Sequence, residues 1–354
     1  MPLPFQDTLA EATRLTRSGQ LQAATELLRK SLGRPWGPAA PAHSAAPQDV
    51  IDVEATELPR EPTGATPSPG GTARFLAGQH ECAAGQRSYK LFVPPGAGER
   101  AMPLVVMLHG CTQHPDDFAA GTAMNAAAVE QGFVVLYPAQ SQQANPQRCW
   151  SWFKHNHQQR GRGEPAVLAS MTQQVIAEHG IDASRVYVAG LSAGGAMAAI
   201  LGALYPELFA AVGVHSGLAA GAAADLPSAL AAMKGQGGAG RTRSVAAPIA
   251  VPTIVFHGDA DTTVHPSNGA AVIAACVGAG AVAEQQSLSG ASGRDCTRSV
   301  YRQPDGRTRA EHWLVHGAGH AWSGGQPAGS YTDPRGPDAT EAMLRFFMQH
   351  RHTP

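Results

Sequence analysis

The sequence predicts an α/β fold built on a mostly parallel sheet, and two observations carry that expectation. Continuous apolar runs recur at residues 104–108, 133–137, 186–189, 211–214 and 253–256, the pattern of strands buried on both faces. Segments with helical length and signals separate or follow them, at 116–131, 164–179, 192–205, 267–277 and 338–350. Strands alternating with helices assemble into a mostly parallel sheet. A chain of 354 residues has room for one large domain, or one domain with an appendage.

At the start of the chain, Leu9, Ala12 and Leu15, then Leu21, Ala24, Leu27 and Leu28, recur at helical spacing on either side of Ser18-Gly19. Residues 1–33 are therefore expected to form a short helical hairpin. Residues 34–72 hold eight prolines among Ala, Ser and Thr, which neither sustain a helix nor supply ladder donors, and read as a linker. The α/β domain is expected over 73–354. It opens with short β-type runs around Phe75 and at 88–93, where Tyr89, Leu91 and Val93 alternate with their neighbours. A further strand is expected at 312–315. The stretch 218–250, with glycines at 221, 235, 237, 238 and 240 and little periodicity, is expected to be a mobile flap.

Composition excludes several classes. The 26 basic and 27 acidic residues nearly cancel, so nothing is built to neutralise a phosphate backbone, and nucleic acid is not an expected partner. No Gly-Lys-Ser/Thr triplet of a P-loop occurs. The longest small and apolar run, 193–204, falls short of the roughly 18 apolar residues that span a membrane, so no span is expected. The first residues show no basic region leading into an apolar core, and a cytoplasmic location is the expectation. Five cysteines fit no zinc spacing, and His155 and His157, beside Gln158, Gln159, Arg160 and Arg162, read as a solvated loop; no metal is expected.

Chemistry concentrates in Gly190-Leu191-Ser192-Ala193-Gly194, set between an apolar strand and a small-residue helix. Glycines two before and two after a serine let the backbone turn sharply, so that the hydroxyl projects as a nucleophile. A serine hydroxyl needs a base to take its proton, and the base needs an acid to orient it. The acid candidate is Asp261 in His257-Gly258-Asp259-Ala260-Asp261, with Asp259 the alternative. His320 in Gly317-Ala318-Gly319-His320 follows the last strand and is preferred as base over His316. An oxyanion would need two N–H donors: one from Ala193, the other from Cys111 in His109-Gly110-Cys111-Thr112, with Thr112 as alternative. No cofactor is required. Trp150, Trp152 and Trp322 are candidates for an aromatic wall along the substrate, against the reading that they pack in the core.

Taken together, Leu108-His109-Gly110-Cys111-Thr112-Gln113, Cys149-Trp150-Ser151-Trp152-Phe153, the Ser192 pentapeptide, His257-Gly258-Asp259-Ala260-Asp261 and Gly319-His320-Ala321-Trp322-Ser323-Gly324-Gly325 resemble the poly(3-hydroxybutyrate) depolymerase family of esterases, relatives of feruloyl and acetylxylan esterases. The resemblance is collinear from about Phe75 to His350. It implies an α/β-hydrolase fold with a mostly parallel central sheet, here preceded by the helical hairpin. It also implies a triad of Ser192, Asp261 and His320, an oxyanion N–H from Cys111, and a bond between Cys111 and Cys149. Cys276 and Cys296 are a weaker candidate pair, with Cys82 left free. The implied substrates are polyhydroxyalkanoate-type polyesters, their oligomers, or other short-chain or aryl esters. A feruloyl or acetylxylan substrate, or a granule-binding role with secondary hydrolysis, is the alternative. The hairpin is then a lid or a docking element.

Overall fold

The computed structural model describes residues 71–236, 248–278, 281–289 and 293–352. The expected hairpin and nearly all of the expected linker lie outside these residues, as does the middle of the 218–250 stretch.

Two antiparallel strands, β1 (Arg74–Cys82) and β2 (Gly85–Val93), lead into the parallel core. Chain order then runs β3 (Met102–Leu108), α1 (Pro115–Thr122), α2 (Met124–Gln131), β4 (Val134–Pro138), α3 (Gly163–Glu178), β5 (Ile181–Leu191), α4 (Ala193–Leu204), β6 (Ala211–His215), α5 (Leu226–Met233), β7 (Thr253–Gly258) and α6 (Ser267–Val277). It finishes with β8 (Glu284–Leu288), β9 (Cys296–Arg302), β10 (Thr308–Val315), the short pair β11 (Trp322–Ser323) and β12 (Thr332–Asp333), and α7 (Ala339–Phe347). Among the described residues, ten strands form one sheet in the order β1-β2-β4-β3-β5-β6-β7-β10-β9-β8. The neighbours from β4 across to β10 are parallel, and antiparallel strands extend the sheet on both sides.

Because successive side chains of a strand point to opposite faces, each apolar run feeds two cores. Leu104, Val106 and Leu108 of β3 join Val186 and Val188 of β5 against α3, α4, α5 and α6. Val105 and Met107 join Tyr187, Ala189 and Leu191 against α1, α2 and α7. The parallel strands end in step: Leu108 lies beside Gly190, Leu191 beside His215, His215 beside Phe256, and Gly258 beside Val315. All the sequence-derived site residues other than the tryptophans follow these carboxyl ends, where open α/β sheets place their ligands.

Three expectations needed correction. The helix expected at 116–131 is two helices, broken at Ala123 with φ 52°. Thr122, at the break, turns its hydroxyl back onto the Phe118 carbonyl, and its own carbonyl accepts from Thr340 Oγ1 at 2.7 Å. The described part of the 218–250 stretch, residues 218–236, is not a plain flap. Ala219, Ala220 and Ala223 are buried, Gly221 N donates to Gln158 Oε1 at 2.7 Å, and Asp225 and Ser228 form a capping box that starts α5. Cys276 and Cys296 are both buried and both free, so they do not pair; Cys82, half-buried, is free as expected. No described helix is long and apolar enough to cross a membrane.

Candidate active site

Ser192 sits between the last residue of β5 and the first of α4 with φ 57° and ψ −118°, a conformation that non-glycine residues rarely adopt. The turn survives because its flanks have no side chains. A methyl group at Gly194 would overlap the Leu108 and His109 carbonyl oxygens, and one at Gly190 would overlap the Gly194 backbone. Ser192 N donates to the His215 carbonyl at 2.8 Å, tying the turn to the neighbouring strand. Its half-buried side chain stands at the amino end of α4, where the unpaired helix N–H groups favour negative charge.

The two aspartates after β7 take different histidines. Asp261 Oδ2 lies 2.7 Å from His320 Nδ1, and Asp259 Oδ2 lies 2.8 Å from His316 Nδ1. The first pair is enclosed, with the Asp261 side chain 0% and the His320 ring 12% exposed; the second is at 37% and 42%. Asp261 Oδ1 accepts the N–H groups of Thr263 and Val264 at 2.9 and 2.8 Å. Burial pushes the Asp261 carboxyl up, but hydrogen bonds from His257 and His320 outweigh it and hold the group well below the usual carboxylate range. With Nδ1–H given to a carboxylate, His320 keeps Nε2 bare, the form in which it can accept a proton. The structure thus joins Asp261 to His320 directly. No hydrogen bond links Ser192 Oγ to His320 among the described residues.

The two oxyanion candidates, Cys111 and Thr112, lie in the loop after β3. Thr112 N–H is spent on the Gln147 carbonyl at 2.6 Å, whereas Cys111 N–H has no partner among the described residues. Ala193 is the first residue of α4, so its N–H has no partner within the helix. Cys111 and Cys149 form a disulfide with Cα atoms 4.2 Å apart. His109 Nε2 accepts from Gln140 N at 3.1 Å, so Nδ1–H donates to the Gly110 carbonyl at 2.8 Å. Burial pushes this ring down to about 4, and it stays neutral in that role.

A family model described as Esterase PHB depolymerase matches residues 87–287, more than half of the chain. The chain belongs to that family. Within reach of it, poly(3-hydroxyalkanoate) depolymerase C of Paucimonas lemoignei is 32% identical over 239 residues, covering 64% of this chain and 56% of that protein. The probable acetylxylan esterase A of Neosartorya fischeri is 29% identical over 245 residues, covering 64% and 60%. Feruloyl esterase B of Thermothelomyces thermophilus is 35% identical over 128 residues, covering 36% and 43%. The chain therefore spans less than two thirds of the length of these relatives. Among solved structures, the acetyl xylan esterase from Aspergillus awamori superposes with a TM-score of 0.60 at 20% identity, covering 79% of this chain and 100% of that one. That likeness is one of fold, the α/β-hydrolase fold.

In this family member the expected tryptophan wall is not an open surface. Trp150, Trp152 and Trp322 are 0%, 5% and 1% exposed. Trp150 Nε1 donates to the His109 carbonyl at 3.1 Å and its ring lies against His109, while Ser151 N donates to the buried Glu164 at 2.7 Å. Trp322 Nε1 donates to Thr340 Oγ1 at 3.1 Å. The Trp150 and Trp322 rings brace the loops that carry the site because each of these two indole N–H groups found a buried acceptor, while Trp152 packs edge-on against Phe153. Sequence reasoning also missed two histidines. His215, whose carbonyl receives Ser192 N, stacks between Phe256 and Trp322, and its Nε2 accepts Ser323 N at 2.9 Å. Burial pushes it down to about 3, so it remains a neutral acceptor. His257 Nε2 donates to the Val264 carbonyl at 2.8 Å and lies 3.5 Å from Asp261 Oδ2. A histidine at the end of a buried strand, four residues before the acid, was the signal for His257; His215 had none beyond its place as the last residue of β6. No group of three or more His, Cys, Asp or Glu side chains is placed to hold a metal among the described residues.

Proposed function

We propose that this chain is a serine carboxylic-ester hydrolase that works through an acyl-enzyme, with polyhydroxyalkanoate-type polyesters, their oligomers or other short-chain or aryl esters as substrates. One observation carries the reading: of two aspartates two residues apart, it is the enclosed one that holds His320, at the same carboxyl edge of the sheet as a serine in a strained elbow. Ser192 Oγ attacks the ester carbonyl as its proton passes to His320 Nε2. Asp261 holds the ring by Nδ1–H and stabilises the imidazolium that forms. The N–H groups of Cys111 and Ala193 receive the oxyanion. Collapse of the intermediate expels the alcohol, which takes the proton from His320, and leaves Ser192 acylated. Water, deprotonated by the same ring, then releases the acid and restores the serine.

Hydroxyacid esters are favoured by the depolymerase relative at 32% identity over 239 residues; the acetylxylan esterase at 29% over 245 residues and the feruloyl esterase at 35% over 128 residues support a feruloyl or acetylxylan-type ester as the second reading. The apolar stripe of residues 1–33 fits a lid or docking element for a polymeric substrate. Incubating the protein with polyhydroxybutyrate, p-nitrophenyl butyrate, a feruloyl ester and a peptide, then identifying products, ranks the acyl groups. In the same assays Ser192→Ala should lower turnover by on the order of 10⁴-fold or more. Near-normal turnover in that variant, freed of contaminating esterase, overturns the mechanism.

A further inference from the structure

The proposed mechanism leaves Gln113 unused, although it closes the Leu108-His109-Gly110-Cys111-Thr112-Gln113 motif. Its side chain is 2% exposed and reaches in two directions. Oε1 accepts Gly110 N at 2.9 Å, gripping the backbone one residue before Cys111. Nε2 donates to Asp117 Oδ2 at 2.9 Å and to the Ser330 carbonyl at 3.0 Å, with Ser330 Oγ at 3.3 Å. Asp117 in turn accepts Ser330 N at 2.8 Å and Ser330 Oγ at 2.6 Å. Ser330 precedes Tyr331, whose carbonyl takes Trp322 N at 2.7 Å, two residues beyond His320.

One buried amide therefore connects the loop bearing the Cys111 N–H to the segment that follows His320. The junction holds unusual backbone: Thr112 and Tyr331 have φ 66° and 52°, and their hydroxyls lie 3.1 Å apart. On the opposite flank the same loop is pinned by the Cys111–Cys149 bond and by Thr112 N on the Gln147 carbonyl. With both neighbours fixed, Cys111 N–H is the group left to face a ligand. Donors aimed in advance at a developing charge lower the barrier without reorganising, and they act on the transition state rather than on the bound ester.

We propose that Gln113 is a positioning residue for hydrolysis, holding the Cys111 N–H at the oxyanion position in register with the His320 loop. This rests on the serine-esterase reading above. The test is Gln113→Met, which keeps the volume and removes the amide, assayed on p-nitrophenyl butyrate with active serine counted by a fluorophosphonate probe. The kcat per titrated serine should fall about 10- to 100-fold, part of what deleting an oxyanion donor costs, with KM within about threefold. Affinity for a trifluoromethyl ketone, which forms a tetrahedral oxyanion on serine, should fall by a factor similar to that in kcat/KM. The reciprocal pair Gln113→Glu with Asp117→Asn restores an acceptor for Gly110 and a donor between the two side chains, and should recover part of the kcat. A kcat per titrated serine within twofold of wild type, or a change in KM alone, overturns the proposal. If Gln113→Met does not fold, Ser330→Ala should show the same signature at smaller size, and its absence there overturns it equally. Failure of the wild type to be labelled at Ser192 would instead overturn the esterase reading.

Discussion

Replacing both Cys111 and Cys149 with alanine should cost stability through the unfolded chain. The bridge closes a loop of sequence separation 38. Chain-entropy arithmetic for a loop of that length gives about 13 cal/mol/K, or about 4 kcal/mol at 25 °C. The folded loop keeps other anchors: Thr112 N on the Gln147 carbonyl at 2.6 Å, Trp150 Nε1 on the His109 carbonyl at 3.1 Å, and Gln140 Nε2 on the Cys149 carbonyl at 3.0 Å. The native state should therefore persist and most of the loss should fall on the unfolded ensemble. In a domain of this size that corresponds to a Tm lower by about 7 °C. Urea unfolding of the variant beside wild type, with and without dithiothreitol, measures it, and reduced wild type should match the variant. A difference below about 1 kcal/mol, with the wild-type bridge shown intact by thiol blocking and mass spectrometry, would refute the chain-entropy account.

Two further outcomes follow from the site. Asp261→Asn should lower kcat by on the order of 10³- to 10⁴-fold through a misoriented His320, whereas Asp259→Asn, on the half-exposed His316, should change it by less than about tenfold; reversed severities in steady-state assays reassign the acid. Stability should fall with acid from well above the carboxylate range. Burial lowers His109 and His312 to about 4 and His215 to about 3, so an unfolded chain binds protons there from about pH 6.5 downward while the native one does not. Their contribution is complete above about pH 6.5 and declines at up to about 1.4 kcal/mol per histidine per pH unit. Asp261, Glu164 and Glu311, all held below their ordinary values against the pull of burial, add losses of the same sign below about pH 4. A Tm that is flat between pH 7.5 and 5 contradicts this.

The central sheet was legible because doubly buried strands have an unmistakable composition: β3, β4, β6 and β7 are nearly all apolar, and the helix expected at 267–277 ends where the sequence placed it. The strand pair β8 and β9 was not. Glu284-Gln285-Gln286-Ser287 forms an exposed outer edge, and such an edge has no buried face to impose alternation. Helix α5 was overlooked although Asp225-Leu226-Pro227-Ser228 spells a capped start, because the glycines around it suggested a loop. In the site, the elbow was readable from glycines whose absence of Cβ is a local requirement. Exposure of Trp150, Trp152 and Trp322 was not, since whether an indole faces solvent or a carbonyl depends on loops brought together from distant parts of the chain. The same holds for Gln113, whose partners Asp117 and Ser330 lie 213 residues apart in sequence.

The buried tryptophans give the molecule an optical asymmetry. Trp150, Trp152 and Trp322 are enclosed among the loops around the strand ends, and Trp313, at 9% exposure, lies on β10, the strand that leads into the His320 loop. Intrinsic emission from residues 71–352 therefore reports chiefly on the rim of the site and hardly at all on the outer strands β1, β2 and β8, which have no indole. A red shift that precedes the loss of far-ultraviolet circular dichroism during denaturation would time the opening of those loops against the melting of the sheet, without any label being attached.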